Sequence, residues 1–137
     1  MLAELLEHLT GNDPERRSKS AEAIALLGSW AIHKAAPVLL ARLDDDHTQV
    51  RVAAATTLLK ASPIPLEFLP HVLNALRSQR IETRTWCYVL LGESGTDHPA
   101  VRAALLALAA NDTEAEVRWA AARAAGLLGE GGVVGAD

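Results

Sequence analysis

Side chains that could serve as metal ligands, nucleophiles or acid–base groups are few in this sequence, and none are arranged for such chemistry. The five histidines, His8, His33, His47, His71 and His98, follow no repeated ligand spacing. Four of them are expected in or beside turns and one on a helix. Cys87 is the single cysteine, and nothing beside it in sequence would stabilise a thiolate, so it reads as a small buried filler. Asp44, Asp45 and Asp46 form the longest run of like charge. Crowded into one turn, they read as helix caps and not as the two separated carboxylates of a glycosidase. A P-loop, a G-x-G-x-x-G stretch, a G-x-S-x-G elbow and a Cys/His framework are all missing. The sequence therefore predicts no catalytic residue, no metal and no cofactor.

The chemistry-bearing residue that does recur is arginine. Arg17, Arg51, Arg84 and Arg118 stand at spacings of 34, 33 and 34 residues, each three positions ahead of an Ala/Leu-rich stretch. Leu5, Leu39, Val72 and Leu105 keep nearly the same period, as do Leu6, Leu40, Leu73 and Leu106, and Leu9, Leu43, Leu76 and Ala109. Independent registers with one period identify stacked repeats, each too small to bury its own apolar face. An arginine repeated at the margin of that face suggests a ladder to carboxylates in the preceding turns: Asp13, Asp45 or Asp46, and Asp112. Arg84 lacks an obvious acid in the preceding turn, with only Glu82 close, so its repeat is either looser or borrows a partner from a neighbour.

The elements that carry these positions are helices. Half of the residues are apolar but only 4% are aromatic, a mix dominated by Leu and Ala that favours close-packed helices over sheets. Gly11-Asn12 interrupts a first helix, and Asp13-Pro14 starts a second as N-cap and first-turn proline, ending at Gly28. The second unit is expected to begin near Ala35. Asp46-x-x-Gln49 and Thr113-x-x-Glu116 both read as capping boxes. Ser62-Pro63-Ile64-Pro65 stops the fourth helix. Four two-helix units follow, at about 1–30, 31–63, 64–95 and 96–129, in one domain over 1–129. Residues 130–137 are expected to form a flexible glycine-rich tail.

Formal net charge is −4, with no basic arm, which argues against nucleic acid. No apolar run approaches a membrane span, and the N-terminus lacks the basic region of a signal peptide. A lone cysteine fits a reducing compartment, so a soluble cytoplasmic protein is expected.

The units resemble HEAT repeats, in particular a short subtype whose second helix reads D-P-D-x-x-V-R-x-x-A-A-x-A-L-G-x-L-G. The fourth unit matches best, through Asp112, Val117-Arg118, Ala121-Ala122, Gly126 and Gly129. The second keeps Val50-Arg51 and Ala54-Ala55, with Leu59 and Ser62 in place of the glycines; Thr83 and Arg16 replace the valine in the third and first. The resemblance implies an all-α, α-α superhelix (a HEAT-like solenoid) of four repeats and about eight helices. It also implies that second helices line a concave surface. HEAT-like di-iron hydroxylases carry several His-Glu dipeptides, which are absent here, and HEAT-like DNA glycosylases have basic grooves that this chain does not reproduce.

At 100° per residue, positions −1, +3, +4 and +7 from each arginine share one face, the expected core: Ser20, Ala21 and Ile24; Val50, Ala54, Ala55 and Leu58; Cys87, Tyr88 and Leu91; Val117, Ala121, Ala122 and Ala125. The outward positions +1, +5, +9 and +12 diverge between copies and include Leu26, Lys60, Thr96 and Glu130. The candidate partner-binding residues there are Val52, Thr56, Val89, Trp119 and Arg123, with Trp86 at the margin. Trp30 is expected to pack beneath the turn after the first unit. The sequence thus predicts a non-catalytic module or scaffold that binds a protein or peptide. The alternative is a lyase- or chaperone-like accessory subunit, resembling phycobilin lyases, that handles a tetrapyrrole or another amphipathic ligand. The last helix shows no polar cap, so self-association through the C-terminal end, cover by the tail, or continuation into a longer array is expected.

Overall fold

The computed structural model describes residues 1–61, 63, 65–93 and 99–128. Among these are eight α-helices and no strand: α1 (Leu2–Leu9), α2 (Pro14–Leu27), α3 (Ser29–Arg42), α4 (Thr48–Lys60), α5 (Leu69–Ala75), α6 (Ile81–Glu93), α7 (Pro99–Asn111) and α8 (Ala115–Leu128). A short 3₁₀ turn, Leu66–Phe68, leads into α5. The even-numbered helices pack side by side in chain order, and α1, α3 and α5 form a second layer against them. This is the all-α solenoid that the period implies. The expected tail at 130–137 and the residues Thr96, His98 and Glu130 lie outside the described residues.

Alanine makes the inner layer possible. Ala21, Ala54, Ala55 and Ala121 are fully buried, so second helices approach closely, while Ile24, Leu39, Leu43, Leu58 and Leu105 fill the space between layers. Every expected core position is buried except Ala122, which is partly exposed. Cys87 is wholly buried, and removal from water pushes its thiol up to about 12. It should therefore resist an aromatic disulfide reagent in the native state and react on unfolding in denaturant.

The join between the first two units is one residue long. Gly28 adopts φ 109° and ψ 178°, a conformation essentially reserved for glycine, and α3 starts at once with Ser29. Helix α3 thus begins six residues before the expected Ala35 and carries Pro37 inside it. This early start also corrects two side chains. Trp30 does not pack beneath a turn; it lies in the first turn of α3, 57% exposed. His33 is helical, as are His8 and His71, so three histidines sit on helices where one was expected. An added Cβ at Gly28 would meet only ordinary contacts, the nearest at 3.7 Å from Trp30. Gly28→Ala should therefore cost about 1–3 kcal/mol through backbone strain alone, read as a lower urea midpoint.

The turns are not built on capping boxes. Helix α4 has His47 as N-cap without a side-chain cap bond. The work falls to the residue six before each arginine: Asp45 Oδ1 accepts from the His47 N–H (3.0 Å), Ser78 Oγ from Arg80 (3.0 Å) and Asp112 Oδ1 from Glu114 (2.9 Å). Asp13 does cap α2, accepting from the Glu15 N–H at 3.0 Å.

The arginines also bind differently from expectation. Each donates through Nη1 to the carbonyl six residues before it: Gly11 (2.8 Å), Asp45 (2.7 Å), Ser78 (2.8 Å) and Asp112 (2.7 Å). The carboxylate comes from the following repeat, not from the preceding turn. Arg17 reaches Asp45 with two bonds (2.8 and 3.0 Å), Arg84 reaches Asp112 likewise (2.8 and 3.2 Å), and Arg51 meets Glu82 at 2.7 Å. Borrowing from a neighbour, expected of Arg84 alone, is the general rule. The third unit has Ser78 where its neighbours have Asp, so Glu82 supplies the charge from the next turn of helix. Thr83, the departure from the repeat pattern, donates its hydroxyl to the Leu43 carbonyl at 2.7 Å, satisfying a buried helix end. The ladder is architecture that locks each unit to the next.

Candidate interaction surface on the second helices

The outward positions of the second helices form one strip. Leu26 (85% exposed), Val52 (43%) and Trp119 (64%) are far more exposed than apolar side chains of their size usually are. Between α6 and α8 this strip deepens into a groove of about 340 Å³, lined mainly by apolar atoms of Tyr88, Val89, Trp119, Ala120 and Ala124. Gly92 also lines it. Thr85 lies at one side, and Glu116 and Arg123 supply its charges.

Local sequence explains this shape. Val89 and Trp119 stand at positions +5 and +1 of successive repeats, so stacking of α6 on α8 sets them across from one another. Trp119 and Arg123 are separated by one helical turn; the guanidinium carbon lies 5.4 Å from the indole centroid, a cation–π contact that holds the ring on the groove rim. Tyr88 is 1% exposed, and burial, with the charge of Asp112 adding to it, pushes its hydroxyl up to about 12, so the groove floor stays neutral.

Of the six residues expected to meet a partner, the structure brings Val89, Trp119 and Arg123 together. Val52 and Thr56 lie on the same strip but on α4, outside the groove lining. The Thr56 hydroxyl donates to the Val52 carbonyl at 2.9 Å, within its own helix, so it contributes no spare donor. Trp86 departs from expectation: it is half-buried, packs against the core and does not line the groove. Position +2 is not uniform between repeats: Ala53 is buried, Lys19 is exposed and Ala120 lines the groove. Sequence reasoning missed Tyr88, Gly92, Glu116, Ala120 and Ala124. They sit at core-facing or unassigned positions of single helices, and only the α6–α8 pairing places them on a shared groove. The small residues Gly92, Ala120 and Ala124 were the available signal.

Among the described residues, no group of three His, Cys, Asp or Glu side chains could hold a metal ion. Two of the perturbed carboxylates, Asp45 and Asp112, belong to the ladder; in the third, Asp44, burial would raise the value but bonds from Ser78, Arg80 and Thr83 outweigh it. Burial alone would raise Asp45 and Asp112, but the bonds from Arg17 and Arg84, helped by the His47 and Glu114 N–H groups, outweigh it and hold both below the ordinary aspartate value. Among the described residues, no helix is long and apolar enough to cross a membrane.

Comparison with known proteins agrees with this architecture. A family model described as HEAT repeats matches residues 69–134. No curated protein matches the chain. Among solved structures, the crystal structure of an engineered protein, a Northeast Structural Genomics Consortium target, superposes with a TM-score of 0.59 at 20% identity. The match covers 95% of this chain and 63% of that one, and it speaks for the fold alone.

Proposed function

We propose that this chain, a HEAT-like repeat protein, is a non-catalytic interaction module that holds a protein or peptide against its second-helix face. The observation that carries the reading is the apolar α6–α8 groove, with Trp119 64% exposed on its rim and Arg123 stacked over the ring. A ring held in place by a cation loses little rotamer freedom on binding, and aromatic and arginine side chains supply most of the energy at such contacts. The groove accepts an apolar side chain, and Arg123 favours an acidic group beside it on the ligand. The single buried thiol suits a reducing, cytoplasmic setting. Val52 and Thr56 extend the contact along α4.

Affinity capture with the wild-type chain, Trp119→Ala and Val89→Asp tests this reading. Both variants should lose the captured protein or peptide while unfolding at nearly the wild-type temperature. Equal capture by all three proteins would refute it. The same groove, apolar with Arg123 and Glu116 as its charged groups, also suits an amphipathic ligand such as a tetrapyrrole; quenching of tryptophan emission on titration with a tetrapyrrole would favour that ligand class instead.

A further inference from the structure

The joins between successive units are not alike. Helices α2 and α4 pack closely, as do α6 and α8, but the backbones of α4 and α6 barely meet. The distance between packed helices follows the side chains at their contact, and one side chain differs here. Position +2 of a second helix faces the preceding unit, as Ala120 does across the α6–α8 groove. That position holds Ala53 and Ala120 at the two close joins but Trp86 at the middle one. The half-buried indole packs against the core and keeps α6 away from α4.

Three further observations fall on the same join. Its ladder rung is the most open: Glu82 exposes 42% of its side chain, Asp45 and Asp112 only 2% and 8%. At the first join the Thr57 hydroxyl donates to the Ala21 carbonyl at 3.0 Å, tying α4 to α2 inside the buried layer. Leu90 holds the corresponding position on α6 and has no hydroxyl to give. In the other layer a cleft of about 280 Å³ opens between α3 and α5, with Pro37, Leu40 and Ala41 facing His71, Asn74 and Ala75. What does fasten the two halves gathers at the inter-helix turns. Thr83 donates to the Leu43 carbonyl at 2.7 Å, and Arg80 to the Asp44 carbonyl at 3.0 Å and to Asp46 at 3.2 Å.

We propose that this middle join is a hinge, on which the first two units (α1–α4) and the last two (α5–α8) swing as rigid pairs about the turn contacts of Asp44, Arg80 and Thr83. A join with little apolar contact and a polar edge yields at lower cost than a close-packed one. Val52 and Thr56 lie on one side of it, and the groove lies wholly on the other. Swinging therefore changes the distance from the α4 strip to the groove and leaves the groove itself intact. The hinge does not depend on what the groove binds.

Distances between paired spin labels on the full chain, with no ligand added, test this. Engineered cysteines can carry the labels because Cys87 is buried. Glu22 with Lys60 reports on the first half, Gln79 with Ala115 on the second, and Glu22 with Ala115 across the join; all four positions are exposed. The first two pairs should give narrow distributions and the third a broad one. Arg80→Ala combined with Glu82→Ala should broaden the third further and leave the first two unchanged. Trp86→Ala, which places the residue of the close joins at the middle one, should shorten and narrow the third. Equally narrow distributions for all three wild-type pairs overturn the proposal. So does equal breadth in all three, which would make the whole stack compliant, and so does a folded Trp86→Ala chain that keeps the wild-type distance across the join.

Discussion

Replacing Asp45 by alanine should cost about 3–5 kcal/mol, the usual penalty for stripping one partner from a buried ion pair. Asp45 and Arg17 expose only 2% and 10% of their side chains. Removing the carboxylate leaves a largely buried guanidinium with only the weaker influence of Asp46 and Asp13 to offset its charge. It also releases the His47 N–H and the contact to Arg42 at 3.4 Å. A domain this small has about 5–15 kcal/mol in total, so the melting temperature should fall by roughly 10–20 °C. The outer rung behaves differently. Glu82 is 42% exposed in its pair with Arg51, and Glu82→Ala should cost no more than about 1 kcal/mol. Urea unfolding of the two variants beside wild type measures the contrast, and equal losses would show that the ladder is not ranked by burial.

The same carboxylates set the acid limit. Asp44, Asp45 and Asp112 have folded-state values below the ordinary aspartate value of 3.8. Their contribution is complete above that unfolded value and is lost as pH falls through the lowered folded values. Stability measured by urea titration should therefore drop on acidification below about pH 4. In Asp45→Asn the drop should be shallower from an already lower starting point.

Trp119→Ala should weaken partner binding by roughly 30-fold or more, the scale of a central aromatic hot spot worth about 2 kcal/mol or above. The fold should barely notice. The ring is 64% exposed and rests chiefly on Arg123, an exposed cation–π contact worth about 0.5–1 kcal/mol. This separation between binding and stability distinguishes Trp119 from the buried Tyr88 beneath it, whose loss would damage both. Isothermal titration with the captured ligand, together with thermal unfolding, resolves the two effects. A variant that binds normally, or one that unfolds far below wild type, would assign Trp119 a structural role.

The architecture was legible because a repeat writes its core several times over. A chance match at Leu39 means little, but the same leucine register recurring with the arginine period can only be packing. Partnerships across repeats were less legible. Arg17 and Asp45 are 28 residues apart, and nothing in either segment says whether an arginine turns back to its own turn or forward to the next. That choice depends on how far the units rotate against each other, a property of Ala-on-Ala contacts along whole helices. The capping-box reading failed for a related reason. Asp45 and Asp112 already satisfy the turn N–H groups, which leaves Gln49 and Glu116 without that task. The groove was half legible. Val89, Trp119 and Arg123 stood out because they break the pattern, whereas Gly92, Ala120 and Ala124 follow it and acquire meaning only when α6 lies on α8. Trp86, expected at the margin of the strip from its +2 position, is half-buried against the core and is not part of the groove lining.

The central claim is that the α6–α8 groove holds a protein or peptide. A photo-reactive phenylalanine derivative placed at Thr85, on the groove, can be compared with one at Lys34, exposed on α3 in the other layer, under the same illumination with native extract. The account predicts a polypeptide adduct from position 85 that is absent from position 34 and is lost on Arg123→Glu. Adducts formed only at position 34, or adducts at 85 that carry a small molecule and no polypeptide, would contradict it.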